Sequence, residues 1–190
     1  MTAAMSDLPP AGGWTVDHLD ALPDDGVRRE LLDGVLLVPP SPTDIHGVLS
    51  GLIFYALHAS CPPEYHVTQT VSIQINKRRS FIPDVLVTTD EAARRKSAKF
   101  TPREVVLAIE IVSPSTRSMD RITKPALYAA AGIPYYWRVE TRNGEIEVHT
   151  GKIDRKSKVY RPFGTFSVEI DTPEPWPIKI PIAKLRPRYL

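Results

Sequence analysis

Glu110 stands inside Val105-Val106-Leu107-Ala108-Ile109-Glu110-Ile111-Val112, a run that otherwise reads as a strand buried on both faces. An ionised carboxylate there is costly unless a cation or hydrogen-bond donors compensate it. Asp84 occupies a similar place, between Phe81-Ile82-Pro83 and Val85-Leu86-Val87. Taken singly, each has an ordinary reading: Asp84 caps a turn, and Glu110 is the polar face of an edge strand. Taken together, two carboxylates on consecutive core strands can meet on one sheet face and share a divalent cation. Oxygen ligands suit Mg²⁺, which takes one or two protein carboxylates, keeps several waters and accepts a substrate phosphate oxygen. Such an ion polarises a phosphoryl group and acidifies a bound water. Asp84→Asn should then release the cation. In the metal-free chain it should hold or raise stability, because facing carboxylates repel.

Other chemistries find less support. Ser113, Ser115 and Thr116 lie in a loop without a Gly-x-Ser-x-Gly elbow, so they read as turn and cap residues. No glycine-rich phosphate loop is present. Cys61 is the only cysteine, which excludes an internal disulfide and a thiolate metal cage and suggests a reducing, cytoplasmic setting. Net charge is +2, with −6 in residues 1–60 and +4 in each of 61–140 and 141–190. The basic loop residues Lys77, Arg78, Arg79, Arg94, Arg95, Lys96, Lys99 and Arg117 could contact phosphates or simply be solvated.

The elements that must position these residues follow from periodicity. The spacing predicts a short helix capped by Thr15 and a hairpin about Asp33-Gly34. It predicts a helix over 43–59 whose stripe is Ile45, Val48, Leu49, Leu52, Ile53, Ala56 and Leu57. Strands are expected over 67–75, 81–88, 105–112 and 135–140, all in one sheet, with the helix packed on it through Ile45, Leu49, Leu52 and Ala56. A helix over about 119–131 should end at Gly132, and Asn143-Gly144 should turn a further hairpin. Lys158 to Phe166 should add an edge strand, and the proline-rich tail from Thr172 should run as an extended wrap. No apolar run is long enough for a transmembrane helix. The fold class is mixed α/β, a central sheet flanked by helices. Residues 1–14 read as a disordered lead and not a secretory signal, 15–150 as the domain, and 151–190 as an extension packed on it.

Several motifs then resemble a known family. They are Arg29-Glu30-Leu31-Leu32-Asp33-Gly34, Ser41-Pro42 with His46, Pro83-Asp84-Val85-Leu86-Val87, and Ile109-Glu110-Ile111-Val112-Ser113-Pro114-Ser115-Thr116. Asp120-Arg121, Lys124, Leu127-Tyr128, Gly132-Ile133-Pro134 and Tyr136-Trp137 follow in the same order. Over about 15–150 the chain is similar to the Uma-two family, formerly domain of unknown function 820, of the PD-(D/E)XK nuclease superfamily. The resemblance implies a restriction-endonuclease-like core. Asp84 takes the place of the motif aspartate and Glu110 that of the second carboxylate. Val112 stands where the superfamily usually has its lysine, and Lys124 on the following helix takes that role. Glu30 and His46 match two further site positions, and the Ile111 carbonyl is a metal ligand alongside Asp84 and Glu110. Pro125 follows Lys124, and a residue before proline disfavours the α conformation. The helix therefore either starts there or kinks there.

The implied activity is Mg²⁺- or Mn²⁺-dependent hydrolysis of phosphodiester bonds, with DNA as the expected partner. Lys77, Arg78, Arg79, Arg117 and Arg121 are the expected phosphate contacts. Two other readings stay open: a nuclease-fold protein that binds nucleic acid or a protein without cutting, and a structural subunit that self-associates, as a homodimer, through its tail.

Overall fold

The computed structural model describes residues 9–190. The first eight residues of the expected lead lie outside that range. Its last residue, Trp14, is not disordered: it is buried, and its N–H donates to the Gly34 carbonyl at 2.8 Å. Thr15 caps α1 (Val16–Asp20), with His18 completing a capping box. β1 (Glu30–Leu32) and β2 (Val35–Leu37) pair across Asp33-Gly34, whose φ angles of 52° and 85° give the turn its hairpin twist.

α2 (Asp44–Ser60) follows, capped by Thr43. Next come β3 (Tyr65–Thr68), β4 (Ser72–Asn76), β5 (Arg79–Phe81) and β6 (Val85–Thr89), then the short α3 (Asp90–Ala93) and β7 (Lys99–Phe100). β8 (Val105–Ile111) is buried at all seven positions. A π-helical turn, Met119–Thr123, leads directly into α4 (Lys124–Ala131), which ends at Gly132 with φ 92°. β9 (Tyr135–Arg142), β10 (Glu145–Asp154), β11 (Val159–Phe166), β12 (Glu169–Thr172) and β13 (Ile178–Pro181) complete the chain.

The expected single sheet is in fact divided. A six-stranded sheet runs β11-β10-β9-β8-β6-β3, with β11 on its edge, and a five-stranded sheet runs β2-β1-β5-β4-β7. The predicted strand 67–75 breaks at Gln69-Thr70-Val71, where Thr70 has φ 59°, and passes from the first sheet to the second. The predicted strand 81–88 breaks at Ile82-Pro83-Asp84 and passes back. Proline cannot donate to a ladder, which favours the second break; the first has no proline or glycine to mark it. The tail from Thr172 is not a free wrap either, because β13 pairs with β12.

One face of the six-stranded sheet is covered by α2 and the β12–β13 hairpin, burying Leu49, Ile53, Leu57, Trp137, Trp176 and Ile178. The α2 stripe is therefore Leu49, Ile53 and Leu57, with Leu52 and Ala56 partly buried beside it. The other face is covered by α4 and the small sheet, which meet through Tyr128, Phe81, Ile73, Leu86 and Ala108. Ile178 is fully buried under α2, so Ile178→Ala should cost about 2–5 kcal/mol. A urea melt checks this: a loss under 1 kcal/mol would mean that the C-terminal hairpin is not part of the main core.

Candidate active site

The two strand breaks make the site. Glu30 begins β1 of the small sheet and accepts from the Ile82 N–H at 2.9 Å. Asp84 lies in the passage from one sheet to the other. Val85 pairs with Ile109 and Leu86 with Ala108, so the continuing register sets Asp84 across from Glu110 on β8. Alternation puts Glu110 on the face that looks towards α4 and the small sheet. His46 comes from the first turn of α2, and Lys124 is the first residue of α4.

Lys124 is helical, with φ −60° and ψ −49°, although Pro125 follows it. The π-helical turn before it supplies the extra residue, and such turns occur often at functional sites. The side chain therefore reaches inward. Nζ stands 3.1 Å from Glu110 Oε2, 3.3 Å from Glu30 Oε1 and 3.6 Å from Asp120 Oδ1, and the residue is 4% exposed. Tyr128 donates its hydroxyl to the other Glu110 oxygen at 2.9 Å. Asp84 Oδ2 accepts from the Ile111 N–H at 2.8 Å and lies 3.2 Å from His46 Nε2. Ser50 donates to the Asp84 carbonyl at 3.2 Å and is itself held by Gln69 at 2.6 Å. The five expected residues Glu30, His46, Asp84, Glu110 and Lys124 thus line one cleft of about 570 Å³, together with the Val38–Pro42 and Ser113–Thr116 loops.

Four polar groups join the site without having been assigned to it from sequence. Arg28 contacts Asp84 Oδ1 and Glu30 Oε1, each at 3.4 Å. Asp120, Tyr128 and Ser50 are the others. Asp120 and Tyr128 belong to the quoted motifs, but only their packing shows their contacts. Arg28 and Ser50 carry no periodic signal. The expected phosphate contacts stand apart. Arg78 donates to the Asp33 carbonyl at 2.9 Å, Arg79 pairs with Asp33, and Arg121 pairs with Glu140. None of Lys77, Arg78, Arg79, Arg117 and Arg121 lines the cleft.

The two central carboxylates differ electrostatically. Burial pushes Glu110 well above the usual carboxylate range; the Lys124 charge opposes this, while Asp84, Asp120 and Glu30 reinforce it. Burial also pushes Asp84 up, but His46, the Ile111 N–H and Arg28 outweigh it and hold Asp84 below its ordinary value. His46 is raised by its bond to Asp84, against the effect of burial. Burial favours the neutral form of Lys124, yet Glu110, Glu30 and Asp120 outweigh it and keep the ammonium charged. Burial raises Asp120, against the Lys124 charge.

These directions correct the expectation for Asp84→Asn. Ionised Asp84 is stabilised in the fold, so the amide should cost about 1.5–3 kcal/mol. The expected gain moves to Glu110→Gln, which should hold or raise the stability of the metal-free chain. Denaturant melts at pH 7 order the two variants, and equal losses would contradict the asymmetry. Lys124→Met leaves its carboxylates buried and unpaired, and should cost about 3–5 kcal/mol at pH 7. A carboxyl raised in the fold stabilises below its unfolded pKa and loses that contribution as pH rises through its folded one. The deficit of Lys124→Met should therefore shrink from pH 7.5 to pH 5, as Glu110 and Asp120 take up protons. Melts at both pH values check it; a deficit independent of pH would show that the lysine charge is not what matters.

No curated protein matches the chain. Among solved structures, that of a "putative nuclease belonging to DUF820" from Anabaena variabilis ATCC 29413 superposes with a TM-score of 0.67. It is 16% identical, and the alignment covers 90% of this chain and 96% of that one, which shows a shared fold. The family model described as "Putative restriction endonuclease" matches residues 16–176. That span passes the boundary near 150 expected from the motifs and takes in β11 and β12. The chain therefore belongs to the Uma-two family.

Proposed function

We propose that this chain is an endonuclease that hydrolyses phosphodiester bonds, with DNA as substrate and Mg²⁺ or Mn²⁺ as cofactor. The observation that carries this reading is the gathering of Glu30, Asp84, Glu110 and Lys124 from two sheets and a helix onto the floor of one cleft. Family membership and the shared fold support it.

The donor set fits a hard cation. Among the described residues no group of three His, Cys, Asp or Glu side chains forms a metal cage. Mg²⁺ needs none, since it takes one or two carboxylates and fills its octahedron with water and substrate oxygens. Asp84, Glu110 and the Ile111 carbonyl would hold it. When bound, the ion supplies Lewis-acid polarisation of a phosphoryl oxygen and a more acidic water.

The protein groups do the remainder. Lys124 fixes Glu110 and Glu30 and presents positive charge towards the phosphoryl oxygens as their negative charge grows. His46 Nε2, set against Asp84 Oδ2, can hold a proton and pass it to a leaving oxygen. Glu30 anchors the small sheet to the site through the Ile82 N–H. The Val38-Pro39-Pro40-Ser41-Pro42 and Ser113-Pro114-Ser115-Thr116 loops wall the cleft. Among the described residues no helix is long and apolar enough to cross a membrane.

Plasmid nicking with Mn²⁺, paired with calorimetric Mn²⁺ titration, tests the reading. Wild type should bind the ion and nick. Asp84→Asn and Glu110→Gln should lose nicking by at least about 10²-fold, the scale of one lost electrostatic partner in a transition state, and bind Mn²⁺ more weakly. Mn²⁺ binding without nicking of any DNA form would overturn the DNA endonuclease reading.

A further inference from the structure

Arg28 is the cleft residue that the family motifs leave without a role. It sits in the irregular segment before β1, and its side chain is 32% exposed, whereas that of Lys124 is 5% exposed. Its guanidinium spans the two carboxylates loosely: 3.4 Å to Asp84 Oδ1 and 3.4 Å to Glu30 Oε1, with a further bond to the Ile82 carbonyl. Charge-assisted pairs of this kind normally close to about 2.7–2.9 Å. Its Nε is buried with no hydrogen-bond partner. The guanidinium is therefore near both carboxylates without being closed onto either, and its closest contact is to the Ile82 carbonyl.

The two Asp84 oxygens are used differently. Oδ2 is committed to the Ile111 N–H and His46. Among the described residues Oδ1 meets only Arg28. Oδ1 is therefore the oxygen a divalent cation has open to it, and Arg28 is what stands there. A cation at that oxygen and a guanidinium 3.4 Å from it repel, so both cannot keep their places. Of the side chains lining the cleft, only Arg28 and Lys124 carry a fixed positive charge. Lys124 is held in place by three carboxylates and acts from there, so the more exposed Arg28 is the one of the two that can exchange a carboxylate for an anion in the cleft. Its planar fork suits a phosphate.

We propose that Arg28 is the exchangeable cation of this site: it occupies Asp84 Oδ1 in the metal-free protein and turns to a phosphate of the bound nucleic acid when a divalent ion takes that oxygen. This rests on the nuclease reading above. It predicts opposite signs for two measurements on one variant. Removing the competitor tightens metal binding, and removing the phosphate contact slows cleavage.

Mn²⁺ titration calorimetry and plasmid nicking on wild type, Arg28→Gln and Asp84→Asn test it. Arg28→Gln should bind Mn²⁺ about tenfold more tightly, as expected when a nearby positive charge is removed from a partly solvated site, while nicking more slowly than wild type. Unchanged or weaker Mn²⁺ binding in a folded Arg28→Gln would overturn the exchange. Tighter binding with undiminished nicking would overturn the phosphate contact. If wild type, Arg28→Gln and Asp84→Asn all fail to bind Mn²⁺, the metal-dependent reading falls and the exchange with it. Binding that Asp84→Asn abolishes, but that ignores Arg28, sinks the exchange alone. The wild-type protein gives a second measurement that needs no variant. The Arg28 Nε–Hε resonance should shift on titration with Mg²⁺ in the absence of nucleic acid. An unmoved resonance at saturating Mg²⁺ would overturn the exchange.

Discussion

A buried ammonium must be matched by negative charge or lose its proton, and Lys124 is matched three times over. Its partners come from different parts of the chain. Glu30 is in the small sheet, Glu110 in the centre of the large one, and Asp120 in the π-helical turn one helical turn upstream. Satisfying one cation therefore fixes how the two sheets and α4 meet. Removing it would leave carboxylates buried and unpaired, a larger penalty than the pair's net gain when intact. Tyr128 on α4 donates to the second Glu110 oxygen, and the Ile82 N–H donates to the same Glu30 oxygen that Lys124 meets, so hydrogen bonds as well as charge hold these two carboxylates.

Around that fixed charge the two central carboxylates are unequal. Glu110 is 1% exposed and shares Lys124 with other carboxylates, so it holds its proton more readily than a free side chain. Asp84 has a dedicated N–H, a histidine and a guanidinium, so it stays ionised to lower pH. One carboxylate thus keeps its charge in the metal-free state, and the other gains most from an added cation. Two equally solvated aspartates would not give that division. It arises because Asp84 has the Ile111 N–H, His46 and Arg28 about it, while Glu110 shares one ammonium with Glu30 and Asp120.

How legible this was in the sequence depended on whether a residue broke a pattern. Glu110 stood out because it is the one charged side chain in an apolar strand, and β8 is buried throughout. The Asp33-Gly34 and Asn143-Gly144 turns, the Thr15 cap and the Gly132 helix end were legible from local chemistry, because each needs particular residues at particular φ angles. Lys124 is legible only through the family resemblance; its helix position, with proline next, argues against it on local grounds. The π-helical turn that resolves this has no sequence signature. Arg28 was not visible at all, since an arginine in a polar loop looks the same whether it faces solvent or a carboxylate. The division of the sheet is hidden in the sequence for a similar reason. Val67, Val71, Ile73 and Ile75 keep one parity across the break with Gln69 alone interrupting it, and Thr70 takes a left-handed conformation that nothing in its type announces.

That division is also what makes the cleft possible. In one unbroken strand over 81–88, Asp84 would be an interior ladder residue, with neighbours on both sides filling the space before its side chain. The break after β3 ends the neighbouring strand at Thr68, opposite Leu86, so Asp84 has a strand beside it on the β8 side alone. The Asp84 N–H still bonds the Ile109 carbonyl at 3.1 Å, so the backbone remains held by β8. The side chain then reaches past the end of the ladder to the Ile111 N–H. The small sheet, diverted by the same break, swings Glu30 and Arg28 across the opening. A carboxylate held by its backbone, with one oxygen towards a cleft, is the arrangement that the proposed reading needs at Asp84. The chain obtains it by ending one sheet and starting another at Pro83.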